Sequence, residues 1–227
     1  MILFIIDTSG KNGSLGLAKN EGGEVRLLAS ESLAGGQYSA ELIPKFAAML
    51  DQCSLTKKNV DAIAVVAGPG SFTGLRVGLA AAKGLAEILQ KPLTALSALE
   101  ALAATSQPTT GSVVAALDAG RSEVFLGHCE LHPKLEIRTI SESLVKQAEM
   151  GERLREIGAP LVTADEKIAA LAQSANILVE RVDPPSVGVL SAIAFAQLER
   201  GVTVRPDDLD ANYIRRTDAE LFSAPFL

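Results

Sequence analysis

Ala67-Gly68-Pro69-Gly70-Ser71-Phe72-Thr73-Gly74-Leu75-Arg76-Val77-Gly78 is a tight loop set between two regular elements. Before it, Asp61-Ala62-Ile63-Ala64-Val65-Val66 is a short apolar run of the kind that forms a buried strand. After it, Leu75 to Leu89 reads as a helix. Strand, glycine-rich loop and helix are the parts of an anion-binding turn. Glycines let the backbone approach a ligand closely, and a helix N-terminus offers unpaired N–H groups. No Gly-Lys-Ser/Thr closes the loop, and Gly68, Gly70 and Gly74 do not make G-x-G-x-x-G. Two readings stay open: a phosphate-facing loop, or a turn that packs a helix on a sheet.

Gly74, Gly78 and Ala82 are four residues apart, so they share one face of that helix. The face is nearly flat and admits another backbone. Arg76, Lys83 and Glu87 form one narrow charged strip, and the rest is apolar or small. A helix of this kind is covered on more than one side. One cover is its own sheet. The other is a further core helix or a partner protein.

At 227 residues, 48% hydrophobic and 21% charged, the chain has the composition of a globular protein. No apolar run reaches the length of a membrane span. Met1-Ile2-Leu3-Phe4-Ile5-Ile6 has no basic flank and runs into Asp7, so it reads as a strand and not a signal peptide. Two cysteines, Cys53 and Cys129, do not make a disulfide framework, and a reducing cytoplasm is the expectation. A net charge of −6 argues against a chain that grips nucleic acid unaided.

Outward from the loop, residues 2–7 form a strand ending at Asp7-Thr8-Ser9. Strands over 14–18 and 25–30 follow, then a helix from Ser39 to Cys53, kinked or delayed by Pro44. Beyond the central loop and helix come a strand over 92–96 and a helix over 98–105, announced by Ser97 with Glu100 as a capping box. Gln107-Pro108-Thr109-Thr110-Gly111 marks a boundary, which divides the chain into lobes 1–106 and 107–227. The pattern then restarts. Val113 to Leu117 runs to Asp118-Ala119-Gly120, and strands over 124–127 and 135–140 follow. A helix over 142–156, a strand over 160–164, a helix over 165–174, a strand over 177–179 and an apolar helix over 187–200 complete it, the last expected to pack back on the first lobe. Asp7 and Asp118 each end the first strand of a half. Two such lobes side by side are the plan of the actin/Hsp70/sugar-kinase (ASKHA) superfamily: α/β, two ribonuclease-H-like lobes. The competing plan is one such lobe with an unrelated second half.

The chemistry for catalysis is thin. His128 and His132 have helical zinc spacing, but they fall in a strand, where four residues span about 13 Å, too far for one ion. No base stands near Ser71 or Thr73. Asp7 and Asp118 are suited to hold Mg²⁺ across a cleft or to cap their turns.

The central motif closely resembles the signature of the TsaB (YeaZ) family. Ile6-Asp7-Thr8-Ser9, Ser39-Ala40-Glu41-Leu42-Ile43-Pro44, Asp118-Ala119-Gly120-Arg121-Ser122-Glu123-Val124-Phe125 and Asn212-Tyr213-Ile214-Arg215 match further family motifs in order. Tyr38 stands where the family often has His, Ala211 where Pro is frequent, and Gly120 where Ala or another small residue is common. The resemblance implies a noncatalytic cytoplasmic partner of the TsaD family, the metalloenzymes that place threonylcarbamoyl on adenosine 37 of tRNAs reading ANN codons. TsaD-like chains carry an H-x-x-x-H metal motif, and Ala98 and Leu102 occupy its two positions here, so no metal is expected. The resemblance also implies a homodimer of the chain alone, a heterodimer with TsaD, a TsaE-like ATPase in the larger complex, and tRNA contact only through that complex. No cofactor is expected on the chain alone, with ATP or ADP a ligand of the assembly. Expected partner contacts are Leu42, Ile43, Phe46, Leu50, Arg76, Gly78, Leu79 and Ala82. Expected phosphate-facing residues are Asp7, Thr8, Ser9, Gly68, Gly70, Ser71, Thr73, Gly74 and Asp118. The runner-up is an ATP-dependent small-molecule kinase of the same superfamily. A peptidase would need a metal or a triad.

Overall fold

The computed structural model describes residues 1–107 and 110–214. Pro108 and Thr109 in the expected boundary, Arg215 of the last motif and the 216–227 segment lie outside the described residues.

The first half runs β1 (Ile2–Asp7), β2 (Gly13–Glu21), β3 (Glu24–Leu33), α1 (Tyr38–Gln52), β4 (Ala62–Gly68), α2 (Phe72–Leu89), β5 (Leu93–Ser97) and α3 (Ala98–Ala103). The second repeats it: β6 (Gly111–Gly120), β7 (Glu123–His132), β8 (Glu136–Lys146), α4 (Gln147–Ile157), β9 (Leu161–Thr163), α5 (Glu166–Ser174), β10 (Val179–Arg181) and α6 (Val187–Glu199). The sheets have orders β3-β2-β1-β4-β5 and β10-β9-β6-β7-β8. In each, the first strand pairs antiparallel with the second and parallel with the fourth. Both halves are therefore ribonuclease-H-like lobes, and the plan with an unrelated second half is set aside.

Two expectations are corrected. Pro44 does not delay α1, which starts at Tyr38 and runs through the proline, giving up one backbone hydrogen bond near an exposed Ala40. The residues given to the start of a helix at 142 instead extend β8 to Lys146, because the strand keeps pairing with β7 after a register shift at His128/Cys129.

Each sheet is covered on both faces. Phe4, Ile6, Leu15 and Val65 meet α1 and α2 through Leu42, Phe46, Met49, Leu75, Leu79 and Ala82. Val114, Ala116 and Leu126 meet α4 and α5 through Met150, Leu154, Ile168 and Ala172. The inner faces are closed by exchange. α6, from the second half, lays Val187, Leu190, Ile193 and Phe195 on Leu3, Ile5, Ala64 and Val66 of the first sheet. α3, from the first half, lays Leu99, Leu102 and Ala103 on Val113, Ala115 and Phe125 of the second. Burial contributes about 1.5–3 kcal/mol per large apolar side chain before entropy is counted. α6 touches sheet, α3 and β8, so it is apolar all round, as a helix without a solvent face should be.

Candidate functional site

The ends of β1 and β6 face a cleft of about 1380 Å³ between the lobes. Its floor is apolar, with Val66, Ala98, Ala101, Leu117, Phe125 and Leu190. Its rim carries Asp7, Ser9, Lys11, Asn12, Asp118 and Arg121 from the two hairpin turns. The Asp7 Oδ1 accepts hydrogen bonds from the Ser9 amide at 2.9 Å and the Ser9 hydroxyl at 2.7 Å. Burial pushes the Asp7 carboxyl above its ordinary value against those two bonds. The Asp118 Oδ1 caps its own turn, accepting from the Gly120 amide at 2.9 Å.

The central loop sits beside this rim, and the chain itself fills its glycine concavities. A β-carbon on Gly70 would collide with the Ser9 carbonyl, one on Gly74 with the Thr8 carbonyl, and one on Gly78 with the Thr8 hydroxyl. The Thr8 hydroxyl donates to the Gly74 carbonyl at 2.7 Å, and the Ser71 amide donates to the Ser9 carbonyl at 2.7 Å. The close approach foreseen from glycine spacing is thus made by the β1–β2 turn of the same chain.

The expected phosphate-facing set divides accordingly. Asp7, Ser9, Gly70, Ser71 and Asp118 line the cleft. Thr8 is fully buried, and Gly68 and Gly74 are buried against Asn212 and Thr8. Thr73 is exposed on α2 outside the cleft lining. The cations of the lining are Lys11, Arg121 and Arg76; the first two carry no glycine or carboxylate signal, and Arg76, expected as a partner contact, also borders the cleft.

The expected partner set also needs correction. Leu42, Phe46, Leu50, Gly78, Leu79 and Ala82 turn inward to the first sheet and its turns. Among the eight, Ile43, 49% exposed, and Arg76 face solvent. The outer surface of the helix pair is made instead by Ala40, Ile43, Pro44 and Ala47 of α1 with Phe72, Ala80, Gly84 and Ile88 of α2. Ile88 is 76% exposed, and among the described residues a β-carbon on Gly84 would meet nothing within 4 Å.

The segment Asn212–Tyr213 crosses the central loop. The Asn212 amide donates to the Ala67 carbonyl at 2.7 Å, and its side-chain amide donates to Glu142 of β8 at 2.7 Å. Tyr213 packs on Phe72 with ring centres 5.3 Å apart, and its hydroxyl accepts from the Arg76 Nε at 3.2 Å. The Arg76 guanidinium lies 3.7 Å from the centre of the Phe72 ring.

His128 and His132 both lie on β7. The His128 Nε2 is 2.6 Å from the Ser112 hydroxyl, a pairing that sequence reading missed because it crosses strands, and strand alternation puts it on the face away from the cleft. His132 pairs with Glu130 at 3.5 Å. Among the described residues, no three His, Cys, Asp or Glu gather around a common metal position. Ala98 lines the cleft and Leu102 is buried in the second lobe's core, so neither supplies a ligand atom. Burial pushes the Cys129 thiol up to about 12, far from a nucleophile's range at neutral pH.

Sheet order, exchanged helices and a cleft between two acidic hairpin turns define a two-lobed ribonuclease-H-like protein of the ASKHA type. Residues 31–202 match the family described as tRNA N6-adenosine threonylcarbamoyltransferase, TsaD. The chain is 31% identical over 169 residues to the tRNA threonylcarbamoyladenosine biosynthesis protein TsaB of Bacillus subtilis, covering 71% of this chain and 69% of that one. To TsaB of Escherichia coli it is 25% identical over 227 residues, 96% of each. It superposes on YeaZ from Pseudomonas aeruginosa with a TM-score of 0.73 at 26% identity, over 93% of this chain and 99% of the other. The chain belongs to the TsaB (YeaZ) family, a paralogous branch of the TsaD-like fold.

Proposed function

We propose that this chain is the noncatalytic subunit that docks a TsaD-like enzyme during formation of N6-threonylcarbamoyladenosine on tRNA, and that it does so through the outer face of α1 and α2. The observation that carries the reading is the surface itself. Two adjacent helices expose Ala40, Ile43, Pro44, Ala47, Ala80 and Ile88 around a half-buried Gly84, a shallow and mainly apolar face that Arg76 and Glu87 interrupt. Among the described residues nothing packs on Gly84, and a helical glycine costs about 1 kcal/mol relative to alanine. A partner helix laid over Gly84 supplies the missing reason. Two helices from each protein would form a four-helix contact, and the same face would pair two copies of the chain when the enzyme is absent. With a net charge of −6, tRNA would be held mainly by other subunits, in a larger complex that includes a TsaE-like ATPase.

Light-scattering chromatography of the chain with the TsaD-like protein of the same cell tests this. The expected result is a one-to-one complex that Gly84→Trp abolishes while the variant monomer stays folded. A complex formed equally well by Gly84→Trp would refute the docking face.

The cleft supports a second reading, an ATP-dependent kinase using Asp7 and Asp118. The self-filled Gly70 and Gly74 count against a phosphate cradle in the central loop. Saturable Mg-ATP binding by the isolated chain, lost in Asp7→Ala, would favour that reading.

A further inference from the structure

We propose that Arg76 is a pre-set cation on this docking face, held by Phe72 and Tyr213 to receive a carboxylate of the partner protein. The inference rests on α1 and α2 being the docking surface. Three observations carry it. First, the guanidinium is fixed on one side and one edge: its central carbon lies over the Phe72 ring, 3.7 Å from the ring centre, and its Nε donates to the Tyr213 hydroxyl at 3.2 Å. Neither contact uses the two terminal nitrogens, the fork that binds a carboxylate in two parallel hydrogen bonds. Second, Arg76 forms no ion pair among the described residues. The one carboxylate of α2, Glu87, is eleven residues further along, about 16 Å at the helical rise. Third, Arg76 is exposed at the first turns of α2, beside the apolar face, where docking would take it out of water. A desolvated guanidinium without a counter-charge is costly, so a partner that covers it must bring an anion.

The fixing matters as much as the charge. A free arginine loses rotamer freedom when it binds, and a guanidinium already stacked and hydrogen-bonded has lost most of it. Tyr213 is therefore a positioning residue, and Asn212 ties it to the Ala67 carbonyl and to Glu142 of the second lobe.

The test is calorimetric titration of the TsaD-like protein of the same cell into wild type, Arg76→Gln, Arg76→Lys, Tyr213→Phe and Gly84→Trp, at two salt concentrations, with melting curves to confirm folding. The expected result is a loss of about tenfold or more in affinity for Arg76→Gln, with a flatter salt dependence. Arg76→Lys keeps the salt dependence but not the affinity, because lysine has no fork. Tyr213→Phe weakens binding severalfold and also keeps the wild-type salt dependence, which a purely structural defect would not single out. If Gly84→Trp abolishes binding and Arg76→Gln leaves it unchanged, the docking face stands and the carboxylate proposal fails. If neither variant matters, the docking face fails and this inference with it. If Arg76→Gln spares the complex but removes Mg-ATP binding, its anion is a phosphate in the cleft, and the proposal is equally overturned.

Discussion

Asp7 shows what a single residue position costs and does. Its carboxyl is pushed up chiefly by burial, with the Ser9 hydrogen bonds opposing the shift. A carboxyl whose folded pKa lies above its unfolded value binds its proton more tightly in the native state. Stability is then highest below the ordinary value of 3.8 and falls as pH rises towards the folded pKa, staying lower above it. Asp7→Asn keeps an oxygen for Ser9 and removes the charge. The expected outcome is a higher melting temperature than wild type at pH 7 and a flatter melting profile between pH 3.5 and 7, read by calorimetry. A lower melting temperature at pH 7 would mean that the charge is stabilised by a contact the burial argument omits. The sequence marked Asp7 because it ends an apolar strand before a polar turn. It gave no sign that Thr8, its neighbour, would be fully buried with its hydroxyl on the Gly74 carbonyl, 66 residues away in sequence.

Among elements, α2 carries the lesson. Its position after the Gly/Pro loop was legible, as were the order of elements in both halves and the Ser97 cap, whose side chain accepts from the Glu100 amide at 3.3 Å. These follow from local rules: period, turn residues, capping. Which face of α2 looks outward was not legible. Gly74, Gly78 and Ala82 make a flat stripe whether the approaching backbone is a partner's or the chain's own, and the spacing is the same in both cases. The sheet decided it, by placing Thr8 against that stripe. The two glycines four and ten residues after Gly74 therefore behave oppositely. Gly78→Leu drives a side chain into Thr8 and is expected to cost the monomer about 3 kcal/mol or more, from overpacking and a broken turn. Gly84→Ala points a methyl at open space and is expected to stabilise the monomer by about 0.5–1 kcal/mol. Urea unfolding of both variants checks the pair. Equal effects would mean that the inner and outer faces are assigned wrongly.

For the whole molecule, the exchange of α3 and α6 sets cooperativity. Each half helps close the other's sheet: α6 covers most of the first sheet's inner face beside α3, and α3 covers that of the second, so neither half alone buries its inner face fully. A fragment ending at 106 would bare Leu3, Ile5, Ala62, Ala64 and Val66 to water. It is expected to be insoluble or partly folded, and the intact chain to unfold in one calorimetric transition. Two well-separated transitions would show that the lobes are independent. Coupled lobes also give the chain a rigid back, from which the proposed α1–α2 face would hold an enzyme in place. That face is the central claim, and side-chain footprinting with hydroxyl radicals, on the chain alone and mixed with the TsaD-like protein, tests it most directly. Ile43, Phe72 and Ile88 are exposed on the face, and Leu178, 75% exposed, and Ile140 lie on the second lobe as internal controls. The account predicts that Ile43, Phe72 and Ile88 lose reactivity in the mixture while Leu178 and Ile140 keep theirs. Protection of Leu178 or Ile140 with Ile43 and Ile88 unchanged would contradict it and move the interface to the second lobe.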